Sequence, residues 1–224
     1  MSYQWCVMLA PEVEGQARGA VLADAKWPLG SIIKIGFLDG DPSLRDRVRQ
    51  AAQQWLDRTG ADLTFSWLNN ADEAHIRISF AYEGSWSLLG RYAKEQTDIS
   101  SPTMNFGWLT PESSDEEVQE VVLHEFGHAL GFIHEHQNPD GGLEWNREAV
   151  IKSLSGPPNN WSPQQIETNV LGSYDPRDLI GTPFDPDSIM LYPFPANWTT
   201  NGVSTSNNSE LSPQDIKLVQ SVYT

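Results

Sequence analysis

His124, Glu125, His128 and His134 fall within one short segment, reading His-Glu-Phe-Gly-His-Ala-Leu-Gly-Phe-Ile-His-Glu from His124 to Glu135. His124 and His128 stand four residues apart. On a helix both imidazoles then project from one face, one turn apart. Two nitrogens placed this way can share one ion at about 2.0–2.1 Å each. Glu125 sits one residue-step round the helix from His124. It reaches water on that ion without being a ligand, and a carboxylate there can take a proton and return it to a leaving amine. Gly131 permits the positive φ that ends a helix and turns the chain back. His134 then arrives as a third nitrogen. Three protein ligands with one position open describe a catalytic zinc site, not a closed structural one. Neutral imidazoles leave the full double charge on the ion, which favours a lowered pKa for its water. Three of the five histidines in the chain lie here, so a helix face that merely carries solvated histidines explains the segment poorly.

A second group follows in Ser188-Ile189-Met190-Leu191-Tyr192. On residue type alone Met190 reads as core and Tyr192 as a packed aromatic.

These side chains need elements to hold them. The segment 115–130 is the strongest helix, beginning near Ser113 or Ser114 with Asp115, Glu116 and Glu117 at the positive end of the helix dipole. Ahead of it, Ser31 to Leu38 reads as a strand with Ile33, Ile35 and Phe37 on one side. Asp41-Pro42 opens a helix carrying Leu44, Val48, Ala51, Trp55 and Leu56 on one face, and Gly60 ends it. Residues 62–68, 75–80 and 103–108 read as strands, and Leu88 to Ala93 as a weaker one. From Pro139 to Asn208 the chain is rich in Pro, Gly, Asn and Asp, with helical patches only at 146–154 and 163–170. A last helix, 212–223, opens with Ser212-Pro213. The expected class is α+β: a mixed sheet backed by two helices, then a loop-rich half.

The 224 residues suffice for one large domain or two closely packed subdomains, with a sizeable core. A composition of 39% hydrophobic and 20% charged residues is that of a soluble globular protein. Lys and Arg number 14 against 30 Asp and Glu, a net charge of −16 that repels phosphate backbones and argues against nucleic-acid binding. No stretch approaches the ~20 apolar residues of a membrane span. Cys6 stands alone, so neither an internal disulfide framework nor a cysteine-rich zinc site can form. The segment around Trp5 to Ala10 lacks a basic leader and is followed by Glu12, a poor secretory signal.

On the zinc segment and on Ser188 to Tyr192, the chain resembles the metzincin zinc endopeptidases, closest to the astacin-like branch of bacterial and fungal metallopeptidases. Glu135, directly after the third histidine, is the residue that favours astacins. Leu211 to Ile216 leading to Tyr223 is similar to the closing helix of matrixins. The likeness runs from about Ala25 to the end. It implies a zincin-like α+β fold with a twisted, mixed five-stranded sheet and two helices above a cleft, and an irregular lower subdomain ending in a helix. The expected division is an N-terminal extension over 1–24, an upper subdomain over 25–131 and a lower one over 132–224, together one catalytic domain. The resemblance also implies a zinc-dependent endopeptidase. His124, His128 and His134 would hold one Zn²⁺, Glu125 would act as general base, and Met190 would form an apolar floor. Tyr192 would be a distant fifth ligand or a donor to the oxyanion. Protein or peptide substrates would bind extended along an edge strand placed near Leu88 to Ala93. A monomer is expected, and the resemblance points to secretion.

The chain departs from the family in two ways. Its single cysteine cannot supply the two disulfides of many astacins. In mature astacins the residue matching Glu135 ties down a trimmed N-terminus, whereas here an extension precedes the domain. That extension, with Cys6, is a candidate for blocking the cleft, although a small apolar cysteine is more simply packing. A catalytically silent zinc-binding module and a narrow-specificity effector or toxin protease are the rival readings. Asp39-Gly40-Asp41, Asp140-Gly141-Gly142 and Asp175 to Asp187 would suit Ca²⁺, but turn chemistry accounts for them more simply. His75 and His136 have no ligand spacing and are expected on solvent.

Overall fold

The structure is a computed structural model, and it describes residues 7–9, 21–138, 142–157, 159–172, 179–181 and 183–224. Cys6, most of the N-terminal extension, Asp140, Gly141 and Asp175 lie outside the described residues. Eight strands are present among the described residues: β1 (Val7–Leu9), β2 (Val21–Leu22), β3 (Ser31–Phe37), β4 (Leu63–Trp67), β5 (Ile76–Ser79), β6 (Ser85–Leu88), β7 (Met104–Phe106) and β8 (Leu179–Ile180). The helices are α1 (Pro42–Thr59), α2 (Asp115–Ala129), α3 (Arg147–Leu154), α4 (Pro163–Ile166) and α5 (Pro213–Tyr223).

The main sheet runs β1-β6-β7-β5-β3-β4. The pairs β3–β4, β3–β5 and β5–β7 are parallel, and β6 is antiparallel to β7. Five of these strands come from residues 31–106. The sixth, β1, joins parallel to β6 with Val7 opposite Trp86 and Leu9 opposite Leu88. A separate antiparallel pair sets Val21 opposite Ile180.

Local chemistry explains the helix bounds. The Asp41 carboxylate accepts from Ser43 N at 2.8 Å, Pro42 pre-sets the first turn, and Gly60 closes α1 with φ 67. The Ser114 hydroxyl accepts from Glu117 N and starts α2. α1 and α2 lie together beneath the sheet, where Trp55 donates its indole N–H to Leu123 O at 2.9 Å.

One expected strand is displaced. The strand is Ser85–Leu88, and Gly90–Glu95 is a 3₁₀ helix. Gly90 takes φ +51, outside strand geometry, and a Cβ there would stand 1.9 Å from the Ala25 carbonyl oxygen. The chain must therefore turn at residue 90. The outer edge of β6 is also paired with β1, so the expected edge near Leu88 to Ala93 is not an open one.

Three buried apolar clusters result among the described residues, the smallest around Ala25, Leu89 and Ile133. Of the larger two, one gathers Ile33, Ile35, Trp55, Phe126, Met190 and Val219. The other gathers Val150, Leu154, Trp161, Ile166, Tyr192 and Trp198. The segment 188–192 runs along the seam, with Met190 in the first core and Tyr192 in the second.

Candidate metal centre

The last turns of α2 carry the first two candidate ligands, and several distant groups fix that helix end. Helix termini leave carbonyls without intrahelical partners. Here Ala129 O accepts from the Trp27 indole N–H at 2.8 Å, and Leu130 O accepts from the Tyr223 hydroxyl at 2.6 Å. Gly131, with φ +94, then reverses the chain. Phe132 N donates to Gly127 O and Gly131 N to His128 O, the paired bonds of a Schellman turn.

The turn delivers His134 to the helix-borne pair. One ligand atom from each of His124, His128 and His134 lies within 4.8 Å of the others. The Nε2 atoms of His128 and His134 are 3.1 Å apart. Two nitrogens on one tetrahedral zinc stand about 3.3 Å apart, given bonds of about 2.0–2.1 Å. The Nε2 of His124 is buried with no hydrogen-bond partner, a cost that a bound cation removes. Second nitrogens are held from outside: His124 Nδ1 by Ile189 O and His128 Nδ1 by Phe132 O, both at 2.8 Å. With Nδ1–H donating, Nε2 keeps its lone pair for the ion. Burial pulls the pKa of His124 down to about 4, against the opposing pull of the Ile189 carbonyl. Burial also holds His128 and His134 well below the ordinary imidazole range, and neighbouring histidines add to it. Neutral imidazoles are the ligating form. The donor set therefore fits zinc.

The other expected residues gather round. Glu125 is buried beside His124 on α2. The Tyr192 ring centroid lies 4.8 Å from that of His124 and 4.6 Å from that of His134. Met190 is buried against α2, where its sulfur would stand 2.3 Å from a Cβ on Gly127. Only a residue without a side chain lets the methionine approach the helix so closely. Glu135 turns away from the ligands. Its Oε1 accepts from Asn138 Nδ2 and Asp185 N, each at 3.0 Å. Burial raises its pKa to about 8, with those two donors opposing. Among the described residues this carboxylate thus ties the stretch after the third histidine to residue 185.

Both histidines expected on solvent are placed otherwise. His75 is half-buried, tilted against Trp27 at 5.5 Å, and its Nδ1 accepts from Lys34 N. His136 is buried and stacks on His134, with centroids 5.1 Å and planes 17° apart. Its Nε2 lies 2.9 Å from Asn169 O. That carbonyl belongs to a π-helical turn, Glu167–Leu171, that follows α4. The i, i+2 spacing of His134 and His136 was the available signal. Without a helix or strand period, spacing alone did not say which way the second ring points.

Among the described residues, the three histidines form the one group of three or more His, Cys, Asp or Glu side chains close enough to hold an ion. Asp39 and Asp41 serve turns and caps instead: Asp39 accepts from Ser79 Oγ and Phe80 N.

A glycine-turned helix that helps bring three imidazoles together, with a buried methionine packed against it and a mixed sheet alongside, defines the metzincin class of zinc metallopeptidases. The family model for Astacin, a peptidase family, matches residues 22–223, and the chain belongs to that family. It is 24% identical over 223 residues to zinc metalloproteinase nas-30 of Caenorhabditis elegans, covering 93% of this chain and 26% of that protein. The chain thus spans about a quarter of that relative's length. Among solved structures, myroilysin superposes with a TM-score of 0.86 at 39% identity, over 92% of this chain and 98% of that one. The hatching enzyme HCE-1, a zinc-protease from the medaka fish Oryzias latipes, shares the fold with a TM-score of 0.58 at 19% identity, over 91% of this chain and 96% of that one.

Proposed function

We propose that this chain is a zinc-dependent endopeptidase. The single observation that carries the reading is the convergence of three buried imidazoles, with a ring nitrogen of His124 that lacks a hydrogen-bond partner. His124, His128 and His134 hold the ion. When bound, zinc supplies Lewis acidity toward the scissile carbonyl and lowers the pKa of water. Glu125 takes a proton from the attacking water and delivers it to the leaving amine. Tyr192, beside two of the three ligands, donates from its phenol to the developing oxyanion. Met190 keeps the imidazoles seated from below, and Gly131 sets where the third one enters.

Protein or peptide substrates binding in extended form would add to a sheet edge. The edge nearest to expectation is that of β6, which β1 now pairs. A substrate strand on that edge has to displace Val7–Leu9. Removal of residues 1–10 should then lower KM for peptide substrates. An unchanged KM would place the substrate elsewhere. An extracellular, monomeric protease is part of this reading. Among the described residues, no helix is long and apolar enough to cross a membrane.

The deciding experiment is Glu125→Gln, read by casein cleavage and by zinc content. Retained zinc with a rate loss of about 10²–10⁴-fold supports the assignment. An undiminished rate removes Glu125 from the chemistry, and a wild-type protein that binds zinc yet cleaves nothing leaves the silent module as the reading.

A further inference from the structure

His128 and His124 obtain their outer hydrogen bonds from different places. The acceptor for His128 is Phe132 O, in the turn that ends its own helix. The acceptor for His124 is Ile189 O, sixty-five residues away in sequence. That carbonyl is one end of a longer series. The same peptide unit carries the Met190 N–H, which donates to Ser188 Oγ at 3.1 Å. Ser188 Oγ stands 2.7 Å from Asp215 Oδ1.

The direction of each bond follows from the groups themselves. An amide N–H can only donate, so Ser188 Oγ accepts from Met190. Its own hydrogen is then available for Asp215. The other oxygen, Oδ2, receives two more N–H groups, from Ile189 at 3.0 Å and from Ser212 at 2.9 Å. Imidazole N–H, amide N–H and hydroxyl O–H thus all point one way, toward one buried carboxylate. His124, Ser188, Met190 and Asp215 are buried, where bonds in series polarise one another and water does not compete. Asp215 also accepts at the N-terminal turn of α5, so the helix start and the metal ligand share one anchor.

We propose that Asp215 is a positioning residue for the metal ligand His124, acting through Ser188 and the Ile189–Met190 peptide as an extended carboxylate–histidine relay. Metal-bound histidines commonly donate their second N–H to a carboxylate or a carbonyl, which fixes the tautomer and raises the basicity of the ligating nitrogen. Here a carbonyl makes the contact, and a carboxylate two hydrogen bonds beyond it supplies the polarisation. The relay rests on the metal reading above, and it assigns a task to the closing helix, which supplies none of the three ligands.

The test uses the whole zinc-loaded 224-residue chain and the variant Ser188→Ala. This removes the hydroxyl and leaves both bonds to Asp215 Oδ2 in place. Zinc affinity is measured by competition with a chromophoric chelator, and ligand geometry by the visible absorption of the cobalt-substituted protein. The relay predicts zinc binding about 10–100-fold weaker, with a shifted cobalt band. Asp215→Asn, which keeps the volume but removes the charge, moves both readouts in the same direction and decides the matter if Ser188→Ala does not fold. Asp185→Asn is the matched control. It perturbs the neighbouring arm, where Asp185 accepts from Ser212 Oγ, and should hold zinc affinity within about two-fold. Wild-type affinity and an unmoved band in folded Ser188→Ala would overturn the relay, as would equal weakening by the control. Failure of the unaltered chain to bind zinc would instead overturn the metal reading itself, and the relay with it.

Discussion

The two sides of the metal centre are built by different means. On one side, α2 sets His124 and His128 by helical period, and any well-packed helix with this spacing would present them similarly. On the other, residues 132–138 and 185–192 have little regular structure. They are held by side chains bonded to backbone: Glu135 to Asp185 N, Ser188 to Met190 N, Asp215 to Ile189 N. A helix spreads its hold over many equivalent bonds. The irregular side concentrates it in a few buried atoms. Equal chemical changes on the two sides should therefore have unequal effects on the metal.

The largest expected effect is that of His134→Ala, the one ligand supplied by the irregular side. Losing one of three ligands should weaken zinc binding by at least about a thousand-fold, beyond the 10–100-fold of an outer partner. Chelator competition measures this directly. Zinc retained at wild-type affinity would mean that His124 and His128 hold the ion without a third imidazole.

Next is acidification of the zinc-free protein. His124 and His136, one from each side, both have folded pKa values near 4 because burial disfavours their charged forms. The folded values lie below the unfolded value of about 6.5, so between the two the unfolded chain binds more protons. Stability is fully present above pH 6.5 and is lost as pH falls toward 4, by about 3 kcal/mol for each group. Denaturant unfolding at pH 7 and at pH 4.5 checks this. Loaded zinc keeps His124 deprotonated, so its share of the loss should move to lower pH while that of His136 stays. A profile identical with and without zinc would place the ion away from His124.

Gly127→Ala probes the contact between the two sides. The new Cβ meets the Met190 sulfur at 2.3 Å and Trp55 Cζ2 at 3.3 Å. Crowding of a packed core costs about 1–3 kcal/mol, offset by the better helix propensity of alanine, about 1 kcal/mol. In a Met190→Ala background the clash with sulfur is gone, and the same substitution should become neutral or stabilising. A double-mutant cycle with no coupling would show that the methionine does not seat against the helix.

How much of this was legible in the sequence follows the same division. The period of α1 and α2, the caps at Asp41 and Ser114, and the turn at Gly131 are local signals, and each stands where its chemistry predicts. The zinc segment is local too, which is why its histidines were nameable. His136 on His134, Gly127 beneath Met190 and Ser188 on Asp215 join positions with no common period. Residue type at one site says nothing of its partner 27 or 65 residues away. The strand expected at Leu88 to Ala93 failed for a related reason. Gly90 packs so closely against the carbonyl of residue 25 that no side chain fits there, a proximity that alternation along the chain does not encode.

The smallest expected effect is the sharpest comparison, because it removes the same atom from each side. Ser114 and Ser188 both use a hydroxyl to accept from backbone N–H, at 3.1 Å in each case. Ser114 caps α2 ten residues before the first ligand. Its loss in Ser114→Ala should cost about 1 kcal/mol, a shift of a few degrees in Tm. Zinc affinity should stay within about two-fold, since the helix keeps every bond from its second turn onward. Ser188→Ala should do the reverse in proportion, weakening the metal more than its stability cost alone explains. If Ser114→Ala loosens zinc as much as Ser188→Ala does, the helix is not an independent scaffold. The ligands would then respond to global stability and not to which hydroxyl supports them.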